Sequence, residues 1–163
     1  MLEKQLTIIK EQAYSCAFTG HRELTEDFSL KLLQKTVKEL VKNGVKTFFC
    51  GMALGFDLAA AEAVLKVKKK NADVRLIACI PCLEQDKYYP AAEKKRYQKL
   101  LNKADEKTIL SPVYTRACML IRDRYMADNA DALVAFLRKE TGGTAYTVKY
   151  FTKKYPFKEV IFL

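Results

Sequence analysis

The sequence has no tryptophan and a single histidine, His21. One histidine excludes every metal motif built on a His pair. It also leaves one candidate for a Ser-His-Asp triad, with no nucleophile-elbow sequence to match it. Glycine and proline are scarce, six and four in 163 residues. No linker, low-complexity tract or internal repeat is visible, and no apolar run reaches the roughly 18 residues a membrane helix requires. Residues 1–10 mix Glu3 and Lys4 with apolar side chains, and show neither the apolar core nor the cleavage site of a signal peptide. The expectation is a cytoplasmic protein without a membrane partner. The five cysteines are an odd number, and Cys16, Cys50 and Cys79 sit inside apolar runs, where cysteine behaves as a small buried hydrophobe. A reduced compartment fits that usage better than a disulfide framework. Cys79-Ile80-Pro81-Cys82 has C-x-x-C spacing. It closes an apolar run instead of opening a helix, and no second C-x-x-C completes a zinc site. No metal is expected.

What is present is a chain of one-domain length with half its residues hydrophobic, enough for a real core and too short for two. We expect a single domain over 1–163. The net charge of +10 favours an anionic partner. Part of it has a plainer origin, since Lys31, Lys35, Lys38 and Lys42 recur at helical spacing opposite an apolar stripe.

Short apolar runs alternate with amphipathic stretches along the chain. The runs Ala13 to Thr19, Val45 to Cys50, Val74 to Ile80, Lys107 to Leu110, Ala132 to Leu137 and Glu159 to Leu163 read as strands. Between them, helical periodicity predicts helices over Phe28 to Val41, Leu58 to about Lys70, Tyr89 to Asn102 and Thr115 to Asn129, and from Gly142-Gly143 to near Lys154. Asn43-Gly44 ends the first well, and Asp57 can cap the second. Repeated βα units imply an α/β, three-layer Rossmann-like domain, with a mainly parallel sheet of about six strands and helices on both faces. In such a sheet the ligand sits beyond the carboxyl ends of the strands, where strand order reverses.

Three glycine-bearing turns follow predicted strands. Thr19-Gly20-His21-Arg22 offers backbone N–H groups, a hydroxyl and a guanidinium fork that suits phosphate oxygens. Gly51-Met52-Ala53-Leu54-Gly55-Phe56-Asp57 places two glycines between a strand and a helix, a plausible phosphate turn. It matches neither the dinucleotide fingerprint nor the P-loop. Asp57 reads equally as a helix cap and as a contact to ribose hydroxyls. Gly142-Gly143-Thr144 presents N–H groups and a hydroxyl at a helix start. Arg122, Tyr125 and Met126 share one helix face, which either lines the crevice or packs in the core.

In this order the segments AFTGHR (17–22), GMALGFDLAAAEAV (51–64), IPC (80–82) with Gln85, RDRYMADNADALVAFL (122–137) and GGTAYTV (142–148) resemble the YpsA-like branch of the SLOG superfamily. That superfamily includes the LOG phosphoribohydrolases and the DNA-processing protein DprA. The resemblance implies binding of nucleotides or nucleotide-derived molecules, ADP-ribose- or NAD-like ligands among them. It adds Met52, Pro81 and Gln85 to the expected contacts. Arg122 falls where the LOG enzymes carry a catalytic Arg, whereas Thr147 stands where they carry a catalytic Glu. A hydroxyl cannot do a carboxylate's work there.

The reading that follows is a binding or sensing domain for a nucleotide-derived ligand, held by Thr19, Gly20, His21, Arg22, Gly51, Met52, Gly55, Asp57, Pro81, Gln85, Arg122, Gly142, Gly143 and Thr144. A second reading is a nucleotide N-glycosidase using Arg122 with a carboxylate drawn from Glu62, Asp57 or Asp128. A third is single-stranded nucleic-acid binding as in DprA, for which Lys149-Tyr150 and Lys153-Lys154-Tyr155 come closest to a basic aromatic surface. The resemblance also allows a homodimer packed through helices.

Overall fold

A computed structural model describes residues 14–163. The expectations placed on residues 1–10, and on Ala13 as the first strand residue, lie outside the described residues. The first half of the chain forms β1 (Tyr14–Gly20), α1 (Leu30–Lys42), β2 (Val45–Cys50), α2 (Phe56–Lys68) and β3 (Arg75–Ile80). The second half forms α3 (Ala91–Lys103), β4 (Glu106–Ile109), α4 (Cys118–Asn129), β5 (Ala132–Phe136), α5 (Gly143–Lys154) and β6 (Glu159–Phe162).

All six strands join one parallel sheet in the order β4-β3-β2-β1-β5-β6. The α/β Rossmann-like expectation therefore holds. The chain winds outward from β1 to β4, then returns to the other side of β1 with β5. The reversal of strand order lies between β1 and β5, so their carboxyl ends open the crevice.

Side-chain alternation divides the core into two layers. Cys16 and Phe18 of β1, Phe48 of β2, Leu76 of β3 and Val134 of β5 pack with α1, α2 and α3. Their neighbours Ala17, Phe49, Ile77 and Leu133 pack on the opposite face with Met126 of α4 and Phe151 of α5. The four inner strands β1, β2, β3 and β5 are largely buried on both faces, which explains why they read as continuous apolar runs, while the edge strands β4 and β6 are exposed or half-buried. Helix α2 is the most deeply buried helix, and Ala59, Ala60, Ala61 and Ala63 let it lie close on the sheet.

One boundary matters for the site. Helix α2 begins two residues earlier than its periodicity suggested, with Gly55 as N-cap. Asp57 is thus inside the first turn and does not cap it. No helix among the described residues is long and apolar enough to cross a membrane.

Candidate functional site

The carboxyl ends of β1 and β5 border a hollow of about 420 Å³, a size suited to a small-molecule ligand. Thr19, Gly20, His21 and Arg22 form one wall, and Gly143 and Thr144 at the start of α5 form another. Asp57 and Ala53 come from the α2 side, and Arg122, Asp123, Met119 and Met126 from α4. The structure brings eight of the predicted residues together: Thr19, Gly20, His21, Arg22, Asp57, Arg122, Gly143 and Thr144.

Gly51, Met52, Gly55, Pro81, Gln85 and Gly142 do not border the hollow. The two glycines of the β2–α2 turn face protein, while Ala53 between them borders the hollow. A Cβ on Gly51 would come within 2.6 Å of the Arg122 guanidinium. Gly55 has φ +76° and a Cβ there would run into the Arg22 carbonyl, while Phe56 N–H donates to His21 O at 3.1 Å. Gly20 abuts the Phe56 ring so closely that any Cβ would clash. These glycines let two loops interlock. Gln85 braces the same turn: its Nε2 donates to Gly51 O at 2.8 Å, and its Oε1 accepts from Tyr97 at 3.2 Å. Met52 adopts a left-handed φ of 60°, a conformation costing roughly 1–2 kcal/mol for a non-glycine residue. Tyr89 Oη donates to its carbonyl at 3.0 Å and helps hold it there.

The α5 turn is different. Gly142 has φ +95° with nothing within 4 Å of where a Cβ would stand, and Gly143 meets only Asp123 Oδ2 at 3.8 Å. No side chain caps α5, so its first N–H groups lack intrahelical partners. Of the five glycines in the three turns, Gly142 and Gly143 are the two with open space where a Cβ would stand. Thr147, one turn on, donates its hydroxyl to Gly143 O at 2.8 Å and is buried.

At the back of the hollow lies a buried ionic group. Arg122 Nε donates to Asp123 Oδ1 at 2.7 Å, and Arg122 Nη1 donates to Gly51 O. Burial opposes the guanidinium charge, but Asp123 and Asp57 beside it outweigh burial and raise its pKa. Asp57 is only 5% exposed. Its Oδ2 accepts from Ala53 N–H at 3.2 Å, and its Oδ1 has no hydrogen-bond partner. Burial pushes this carboxyl up to about 6, against the pull of Arg122 and the Ala53 N–H. Asp123 is a site residue that sequence reasoning missed; the signal was a carboxylate next to an Arg on a helix otherwise reaching the core.

His21 is held neutral. Its Nε2 accepts from Arg138 N–H at 2.8 Å and ties the β1 end to the β5 end. Burial, then Lys139 and Arg138, lower its pKa below 6.5. A histidine with a lowered folded pKa contributes stability above its unfolded pKa and loses it as pH falls through the folded value. Since His21 is the only histidine, its ring-proton NMR titration reads this directly. We expect a midpoint below 6.5; a midpoint at or above it contradicts the assignment.

The other proposed chemical groups lie elsewhere. Glu62 pairs with Arg96 on the outer face of α2. Asp128 is bound by Tyr150, Tyr155 and Lys154 on the surface of α4 and α5. Neither can serve as the missing carboxylate of a hydrolase here. Tyr125 packs against the core on the α4 side. The Cys79 thiol is pushed by burial to about 12, and burial also raises Cys82, so neither is poised as a redox thiolate.

The YpsA family model, described as the YspA SLOG family, matches residues 17–160. The chain belongs to this family. The SPbeta prophage-derived protein YoqJ of Bacillus subtilis is 32% identical over 77% of this SLOG chain and 80% of its own length. A UPF0398 protein of Halalkalibacterium halodurans is 24% identical over 86% of the chain and 76% of its own length. Among solved structures, the DNA processing protein A of Streptococcus pneumoniae superposes with a TM-score of 0.67 at 22% identity, over 92% of the chain. The SLOG chain spans half the length of that protein. That of Helicobacter pylori, described for its single-stranded DNA binding mode, gives 0.63 at 22% identity, over 96% of the chain and 67% of its own. These two likenesses establish the fold.

Proposed function

We propose that this chain binds or senses a nucleotide-derived ligand of the ADP-ribose or NAD type in the hollow between β1 and β5. The observation that carries the reading is Asp57 Oδ1, a buried acceptor without a donor, on a residue that borders the same hollow as the uncapped N-terminus of α5. A buried polar atom without a partner is costly, and a ligand hydroxyl would satisfy it. The unpaired Asp57 carboxylate repels phosphate, whereas the Asp123 carboxylate near Gly143 is paired with Arg122, so the phosphates belong on the α5 side. There the N–H groups of Gly143 and Thr144 and the positive end of α5 favour an anion, and exposed Arg22 supplies a fork at the mouth. A ribose between the two ends donates to Asp57. No cofactor beyond such a ligand is invoked.

Calorimetric titration of the full chain with ADP-ribose, NAD and AMP tests the reading. Saturable binding of at least one is expected, weakened about tenfold by Arg22→Ala, the equivalent of about 1.4 kcal/mol. Binding that is indifferent to Arg22→Ala, or no binding by any of the three, overturns it.

The hydrolase reading keeps one support: Asp57 is a carboxyl with a proton to exchange near neutral pH, beside Arg122. Base release from nucleoside monophosphates would favour it. The nucleic-acid reading draws on what the Helicobacter protein is described as binding. On this chain, however, the aromatic faces of α5 are already covered. Arg124 lies 5.6 and 5.7 Å from the Tyr146 and Tyr150 rings, and Lys158 lies 4.0 Å from the Tyr155 ring. Stacking bases would have to displace these cations.

A further inference from the structure

A second and larger groove, of about 600 Å³, runs along the outer face of α2 between α1 and α3. It shares no residue with the hollow at the strand ends. Its floor is apolar: Leu30 from α1, Ala59 and Leu65 from α2, and Leu100 from α3. Ala59, a small residue in the first turn of the middle helix, helps leave the flanking helices standing proud. From Ala59 to Lys69 the trench covers ten residues of rise, roughly 15 Å or nearly three helical turns.

The rim is cationic. Lys95, Lys99 and Lys103 stand at i, i+4 and i+8 along α3, and Lys66 and Lys69 close the far end. Arg96 is neutralised by Glu62 and by Glu93 at 3.1 Å. The five lysines have no carboxylate within ion-pair distance among the described residues. Like charges at i, i+4 spacing cost a helix a few tenths of a kcal/mol each, so this ridge works against α3 unless something anionic lies beside it. A neighbouring hollow carries Lys38, Lys42 and Lys70 and shares Lys66, which extends the positive field.

We propose that this groove is the docking site for an acidic amphipathic helix of a partner protein. Leucine-type side chains at i, i+3, i+4 and i+7 would fill the apolar floor, and flanking carboxylates would meet the lysine ridge. A second copy of this chain is a poor occupant, because each copy carries +10 and would bring lysines against lysines. A single-stranded nucleic acid fits less well too. No aromatic side chain lines the groove on which a base could stack.

The test uses the full chain, labelled with ¹⁵N, and an 18-residue synthetic peptide with a leucine stripe and glutamates on the remaining faces. A scrambled peptide of the same composition and a 15-nucleotide oligothymidine are the comparisons. We expect saturable amide shifts centred on Leu30, Leu65 and Leu100, with the striped peptide at least tenfold tighter than the scrambled one. Lys95→Glu with Lys99→Glu should weaken binding at least tenfold. Both sites are exposed, and an unchanged urea midpoint would confirm that the variant folds. Lys149→Glu with Lys153→Glu on α5 should leave binding unchanged. Equal binding of the scrambled peptide, tighter occupation of this groove by oligothymidine, or indifference to the α3 charge reversal overturns the proposal.

Discussion

Arg122→Ala is expected to destabilise the protein by about 3–5 kcal/mol, the cost of removing one partner from a buried ion pair. Arg122 and Asp123 side chains are 6% and 12% exposed, so water cannot replace the lost guanidinium. The variant strands three groups at once. Asp123 loses its 2.7 Å charge-assisted bond, Asp57 loses the cation that most strongly opposes the effect of its burial, and Gly51 O keeps only Gln85 Nε2. Typical domains are stable by only about 5–15 kcal/mol, so the loss is a large share of the whole. Urea unfolding at pH 7.5 measures it. Arg122→Lys should lose less, since it keeps the charge but cannot form the fork. Adding Asp123→Ala to Arg122→Ala should recover part of the loss, because the stranded anion goes with its partner. A single variant within about 1 kcal/mol of wild type would refute the ion-pair account. The practical consequence concerns function: lost activity in Arg122→Ala does not identify a catalytic residue unless the folded fraction is measured beside it.

The alternation of apolar runs with amphipathic stretches carried the fold well. Every strand and helix expected among the described residues is present in order, with ends displaced by a few residues. Period-2 burial shared between two faces makes parallel strands conspicuous, and Gly44 and Pro81 mark ends unambiguously. The site was legible only in part, for a reason visible at Gly51 and Gly55. A glycine after a strand permits close approach, but the sequence does not say by what. At Gly142 and Gly143 the approaching space is open. At Gly20, Gly51 and Gly55 it is filled by Phe56, Arg122 and the Arg22 carbonyl. Gln85 was expected at a ligand and instead holds Gly51 O, because its partner comes from a loop 34 residues away. Asp57 read equally as a cap and as a ribose contact; the helix starts before it, so it does not cap, and its side chain turns back to Ala53. Tertiary neighbours, not local pattern, decided each of these.

Asp57→Asn is expected to stabilise the unliganded protein and to impair ligand binding, and both effects should depend on pH. The folded carboxyl sits at about 6, above its ordinary 3.8. A raised folded pKa means the group's favourable contribution is complete below about 3.8 and is lost as pH rises through about 6. At pH 7.5 the ionised wild type therefore carries a cost that asparagine avoids, about 2–3 kcal/mol at 1.36 kcal/mol per pKa unit. The gap between variant and wild type should open between about pH 4 and 7 and then stay level. Paired urea titrations across that range check it; a gap that does not change with pH would show that Asp57 does not titrate as buried. Binding should run the other way. A ribose hydroxyl donates more strongly to an ionised Oδ1 than to a neutral one, so wild-type affinity for ADP-ribose should rise from about pH 5 to 7 and release a proton as it binds. In Asp57→Asn the affinity should fall about tenfold at pH 7.5 and its pH dependence should flatten. A stabilised variant that binds ADP-ribose as tightly as wild type would separate the two halves of the argument. The buried charge would stand, and the ribose contact would have to be placed on another acceptor.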